Sequence, residues 1–170
     1  MQKPLSYILL FLFLAIAFVI ASSMSSGDSF MSKLKSDFDE HVVYAHNDVA
    51  IHIAIADTAL ERGQGLGGRE LMAAGQGMLF VFGESKRWRI WMKDMNFGID
   101  ILWLDESGRV VDIREYVYPD TYSEYDPLQR EVFEPQESAR YILEVIAGFS
   151  GANGIRVGDV INLGWVQGRE

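Results

Sequence analysis

The 170-residue sequence contains no cysteine, four prolines and three histidines. Without thiols there can be no disulfides, no cysteine metal sites and no thiol nucleophile. The histidines, His41, His46 and His52, all precede the motif-bearing part of the chain. They are too few for a His-rich metal site or a Ser–His–Asp triad. His41 and His46 read as solvated linker residues and His52 as a strand residue. Positive charge is also scarce: 15 Lys and Arg stand against 24 Asp and Glu, a formal net charge of −9. Phosphate recognition needs clustered cations, so no nucleic-acid partner is expected. Nor does any motif call for a cofactor.

What is abundant comes first in the chain. Leu5–Ala21 reads LSYILLFLFLAIAFVIA, in which only Ser6 and Tyr7 are polar. As a helix it would span roughly 26 Å, slightly short of a hydrocarbon core near 30 Å. Val19-Ile20-Ala21 suits cleavage after Ala21. Residues 1–21 are therefore expected to be a signal peptide or an uncleaved membrane anchor. Lys3 and the α-amino group would stay cytoplasmic and the rest of the chain would lie outside, periplasmic or extracytoplasmic. Residues 22–45, opening with Ser22-Ser23-Met24-Ser25-Ser26-Gly27, are expected to be a flexible linker. Residues 46–170 are expected to form a single domain.

Val49–Ala56 alternates with period two and predicts a strand. Thr58 and Glu61 have capping-box spacing, so a short helix is expected to start there. Gly63, Gly65, Gly67 and Gly68 then give a loose loop up to Arg69. Met78–Phe82 reads as a buried strand. Trp88, Ile90 and Met92 alternate with Arg87, Arg89, Trp91 and Lys93, which predicts a strand with the charged set outward. Ile99–Asp105, Arg109–Tyr118, Arg140–Val145 and Ile155–Leu163 are further strand candidates, the third with Tyr141, Leu143 and Val145 inward. Asp105-Glu106-Ser107-Gly108 reads as a hairpin turn. Helix–strand alternation for a parallel sheet is absent. The expected fold is mainly β: a compact β sandwich or flattened barrel with one or two short helices, preceded by the N-terminal apolar helix.

Three stretches, Ala56–Leu71 (ADTALERGQGLGGREL), Gly77–Phe82 (GMLFVF) and Trp91–Val111 (WMKDMNFGIDILWLDESGRVV), together resemble the uncharacterised bacterial and archaeal family called domain of unknown function 192. The resemblance continues through Pro119, Tyr141–Gly148 and Ile155–Asp159, and covers roughly Val49 to Leu163. It implies a compact mainly β sandwich that often follows a signal peptide or anchor, and it implies no established activity. The chain departs from the family pattern at Gly67-Gly68, where Met and a large residue are usual, and at Lys93-Asp94-Met95, where Lys-Asn-Thr is usual.

The candidate binding residues are Arg62, Arg69, Arg89, Trp91, Lys93, Asp94 and Asp100. Arg offers a planar fork of donors for a carboxylate, phosphate or sugar hydroxyls, and a Trp face can stack a ring or a cation. Asp94 and Asp100 are the available acid–base pair for paired-carboxylate hydrolysis. A carboxylate metal site from Asp94, Asp100 and Asp105 competes with the turn reading of Asp105. Asp57 and Asp159 read as cap and turn residues, and Glu144 as the partner of an Arg in the barrel. The leading expectation is a non-catalytic, envelope-facing domain that binds a small ligand, glycan or protein partner. The alternatives are an envelope hydrolase using the paired carboxylates and a structural module of a membrane complex.

Overall fold

The structure, a computed structural model, describes residues 38, 41–45, 48–119, 131–164 and 166. The Leu5–Ala21 segment, His46 and most of the expected linker lie outside the described residues. Among the described residues no helix is long and apolar enough to cross a membrane.

The elements run β1 (His41–Ala45), β2 (Val49–Ala56), α1 (Ala59–Gln64), β3 (Gln76–Lys86), β4 (Ile99–Leu104), β5 (Val110–Val117), β6 (Ala139–Ile146) and α2 (Phe149–Ala152). The six strands form one mixed sheet in the order β1-β2-β3-β6-β4-β5. The mainly β class with short helices holds, but the strands lie in one open sheet rather than two facing ones. β2 and β3 pair in parallel, joined through α1, while every other neighbouring pair is antiparallel. The sequence hid this crossover because α1 has only six residues.

The linker boundary expected at residue 45 lies too far along the chain. His41–Ala45 is an edge strand, with Val43 opposite Ile51 and Ala45 opposite Val49. Phe38 is fully buried, and the compact unit begins there. The apolar positions Val43 and Ala45 carry the strand, and the acidic stretch before it obscured the pattern. His41 is thus a half-buried strand residue rather than a solvated one.

Each face of the sheet carries its own core. One cluster holds Ala54, Ala56, Met78, Phe80, Phe82, Ile99, Ile101, Trp103 and Ile142, covered by Leu66, Met72, Met92 and Phe133. The other holds Ile51, Ile53, Leu79, Leu102, Leu104, Tyr141, Leu143 and Val145, covered by Phe149, Ile155, Ile161 and Leu163. All six residues of β4 are buried, as are Tyr141–Val145 of β6. Strands covered on both faces lose the polar alternation that a half-solvated strand keeps.

Two expected strands become isolated bridges. Residues 87–92 keep a single β-bridge among the described residues, at Ile90, which exchanges backbone bonds with Phe133 at 2.9 and 2.8 Å. The C-terminal stretch reaches both edges of the sheet: Asn162 N–H donates to the Tyr44 carbonyl at 2.8 Å and Ile161 N–H to the Gly108 carbonyl at 2.9 Å. The side-chain faces of residues 87–93 nevertheless follow the sequence pattern. Arg87, Arg89, Trp91 and Lys93 are exposed, Met92 is buried, and Trp88 and Ile90 are half-buried.

Candidate functional site

The loop after α1 is placed by its first turn. Thr58 is the N-cap, its hydroxyl accepting from Glu61 N–H at 3.2 Å while Glu61 Oε2 accepts from Thr58 N–H at 3.0 Å. The chain then leaves the helix through Gly65 at φ 52°. Gly67 lies so close to the next element that a Cβ there would sit 3.3 Å from the Lys93 carbonyl, and Gly68 N–H donates to the Asp94 carbonyl at 2.8 Å. The glycine loop is therefore laid flat against the corner at Lys93-Asp94, where Asp94 itself takes φ 57°.

Between that loop, residues 89–95 and the sheet lies a cleft of about 500 Å³. Its apolar lining comes from Leu66, Phe80, Phe82, Ile90, Met95 and Ile99. Its charged lining comes from Arg62, Arg89, Lys93, Asp94 and Glu144, with Trp91 beside them. The expected residues Arg62, Arg89, Trp91, Lys93 and Asp94 thus meet at one place.

They are not equivalent. Arg62 is half-buried and fixed: its guanidinium donates to the Val81 carbonyl at 2.9 Å and to the Asp57 carbonyl, and lies 5.2 Å from the Phe82 ring centroid. Lys93 and Asp94 form an exposed ion pair at 3.4 Å. Arg89 is exposed and makes no hydrogen bond or ion pair with the described residues. Trp91 is 58% exposed, a large apolar surface left in water.

Arg69 and Asp100 do not join them. The Arg69 guanidinium lies 5.0 Å over the Phe38 ring, and its carbonyl accepts from Asn96 Nδ2 at 2.9 Å. Asp100 is completely buried on the opposite face of the sheet. Its carboxylate accepts from the backbone N–H groups of Tyr116, Gly148 and Ser150, each at 2.9 Å. It holds β5 and the entry to α2 against β4, a structural role. The Asp94–Asp100 pair expected for hydrolysis is therefore not formed. Asp105 belongs to its turn, accepting from Ser107 N–H at 2.8 Å and Arg109 N–H at 3.0 Å. Among the described residues no group of three or more His, Asp or Glu is arranged to hold a metal ion.

The residue that the sequence reading misjudged is Glu144. It stands on β6 opposite Met78 of β3 and Ile101 of β4, on the cleft face of the sheet. It is only 4% exposed, and no Arg among the described residues pairs with it: no hydrogen bond or ion pair from them reaches its carboxyl. Burial among apolar neighbours pushes the carboxyl up to about 8. At neutral pH it is a carboxylic acid, able to donate one hydrogen bond and accept others. The signal was a lone carboxylate inside the apolar run YILEVI, Tyr141–Ile146.

The sequence profile of domain of unknown function 192, described as "Uncharacterized ACR", matches residues 42–163. A "UPF0127 protein" of Thermococcus gammatolerans is 29% identical over 113 residues, a match that spans 65% of this chain and 65% of that relative's length. Two solved structures share the fold. A Sinorhizobium meliloti 1021 protein, provisionally described as a transcription regulator, superposes with a TM-score of 0.61 and 28% identity over 71% of this chain and 89% of its own. A protein of unknown function from Novosphingobium aromaticivorans gives a TM-score of 0.62 at 22% identity, over 71% of this chain and 83% of its own. The profile match, running from β1 to the C-terminal bridges, makes this chain a member of the domain of unknown function 192 family.

Proposed function

We propose that the domain is a non-catalytic binding module whose cleft takes a small anionic ligand with an apolar or ring-shaped body, and that it works outside a membrane. One observation carries the binding reading: three cations, an exposed Trp and a buried neutral acid line a single cleft with apolar walls. Ligand sites are typically mostly apolar concavities with a few placed polar groups. Among the described residues Arg89 has no partner to give up, so an incoming carboxylate or phosphate gains a bond without breaking one of theirs. Trp91 supplies a face for a ring. The placement outside a membrane rests on the apolar Leu5–Ala21 segment. A net charge of −9 opposes nucleic-acid binding.

The test is a thermal-shift and calorimetric screen of small aromatic and aliphatic acids, each beside its neutral methyl ester. Acids should raise Tm through mass action, and esters should not. Arg89→Ala should weaken the binding at least tenfold. If no acid shifts Tm, or if acids and esters bind alike, the reading fails.

The hydrolase alternative now has a different pair of carboxyl groups to offer. Glu144 and Asp94 share the cleft, one neutral through burial and one exposed beside Lys93. Environments that differ in this way assign acid and base roles in enzymes. Turnover of p-nitrophenyl glycosides by the domain, abolished in Glu144→Gln, would favour this reading over simple binding.

A further inference from the structure

We infer that Glu144 selects the ligand: the cleft takes acids whose inner end carries a neutral hydrogen-bonding oxygen, such as a hydroxyl, carbonyl or amide group. This rests on the anionic-ligand reading above and deepens it. A polar side chain at 4% exposure is normally satisfied by protein partners. The other buried carboxylate of this fold, Asp100, is satisfied threefold. Glu144 has no such partner among the described residues, yet it lines the cleft. Its unused hydrogen-bonding capacity is therefore directed at whatever occupies that space.

The surroundings restrict the occupant's inner end. Phe80, Phe82 and Ile99 stand on the same sheet face and line the same space. In such an apolar setting an ionised carboxylate would be uncompensated, so the proton stays on. A cationic inner group would share the cleft with Arg62, Arg89 and Lys93. A purely hydrocarbon inner end would cover the acid and leave it unpaired. Sites built to hydrogen-bond a hydroxyl discriminate strongly against analogues that lack it, for this reason. A neutral oxygen accepts from the Glu144 O–H, and a hydroxyl O–H or an amide N–H donates in return to the Glu144 carbonyl oxygen.

The experiment is calorimetric titration of the domain with matched acids. The probes are 4-hydroxyphenylacetate, phenylacetate and 4-(aminomethyl)phenylacetate, with 6-hydroxyhexanoate and hexanoate as the aliphatic pair. They are titrated into the wild type, Glu144→Gln and Glu144→Leu, with each variant's fold checked by circular dichroism. Gln keeps a neutral donor and acceptor at the same place, so it guards against a variant that fails to fold. The hydroxylated member of a pair should bind at least tenfold more tightly than its parent in the wild type and in Glu144→Gln. The preference should vanish in Glu144→Leu. Parent and hydroxylated acids binding equally, the ammonium probe binding best, or Glu144→Leu retaining the preference would each overturn the inference while leaving an anion-binding cleft. If none of the acids binds, the anionic-ligand reading falls and the inference falls with it.

Discussion

Asp100 and Glu144 stand on adjacent strands one register step apart, and they face opposite sides of the sheet. Asp100 is paired with Val145, and Glu144 with Ile101. Both carboxyls are buried. One collects three backbone N–H donors and the other collects none from the described residues. The same chemical group therefore has two fates, and substitution separates them.

Asp100→Ala should be strongly destabilising. It leaves the N–H groups of Tyr116, Gly148 and Ser150 without their acceptor, and a donor left unsatisfied costs about 1–3 kcal/mol. The loss is expected at about 3–5 kcal/mol, read from the midpoint of urea unfolding at an unchanged m-value. A loss below about 1 kcal/mol would show that the carboxylate is not the latch of β5 and α2.

Glu144→Gln should instead become the more stable protein as pH rises. The folded carboxyl titrates at about 8, against 4.5 for an ordinary glutamate. Between those values the unfolded chain has lost the proton and the folded one keeps it, so wild-type stability falls with rising pH. Below about pH 4.5 the titration separates the two proteins by nothing. Above pH 8 the gap should approach on the order of 5 kcal/mol, at about 1.4 kcal/mol per tenfold change in proton affinity. Parallel stability curves for the two proteins from pH 5 to 9 would exclude a proton held by burial.

The two tryptophans that flank Arg89 should behave differently. Trp88 stacks on Phe82 with centroids 4.1 Å apart, and its carbonyl accepts from Trp103 Nε1 at 3.0 Å. Trp88→Ala should lower stability by about 2–4 kcal/mol. Trp91→Ala should lower it by less than about 1 kcal/mol and should weaken binding of ring-bearing acids. Denaturant melts of the pair decide the order, and a larger loss at Trp91 would make it a core residue.

The domain needs β1. A chain starting at Ser36 should fold cooperatively, whereas one starting at Asn47 removes Phe38 and the partner of Val49–Ile53. The shorter chain should lose several kcal/mol of stability or fail to fold, which circular dichroism melts would reveal. Equal melting of the two would return His41–Ala45 to the linker.

Export is checked by fusion. Alkaline phosphatase joined after Leu34 should be active in a bacterial host, because the apolar segment would carry the attached enzyme to the outside. An inactive fusion at normal expression levels argues against the placement, and mass spectrometry of the mature protein distinguishes cleavage after Ala21 from anchoring.

Local signals were legible and long-range ones were not. The Thr58–Glu61 box and the Val49–Ala56 alternation depend on residues within a few positions, and both elements appear where the sequence places them. The alternation at Arg87–Lys93 gave the correct faces even without a regular strand, because burial of Met92 and exposure of Trp91 do not require a ladder. The double burial of β4 and β6 depends on neighbours brought from far along the chain. For that reason Asp100 read as a binding and acid–base residue and Glu144 as half of an ion pair. The cleft itself needs the glycine loop to touch the Lys93-Asp94 corner, a contact that no spacing announces.

The place of β6 also sets an order in time. It joins β3 to β4, so before Ala139–Ile146 exists the sheet is two unconnected pieces, β1-β2-β3 and β4-β5. A chain made from its N-terminus exposes the inner edges of β3 and β4, apolar on both sides, until Ala139–Ile146 has been synthesised. Such edges recruit other strands, and closure over long sequence separations is slow. The final assembly of this sheet is therefore a late, all-or-none event, and the interval before it is when the chain is most open to aggregation and to capture by a chaperone.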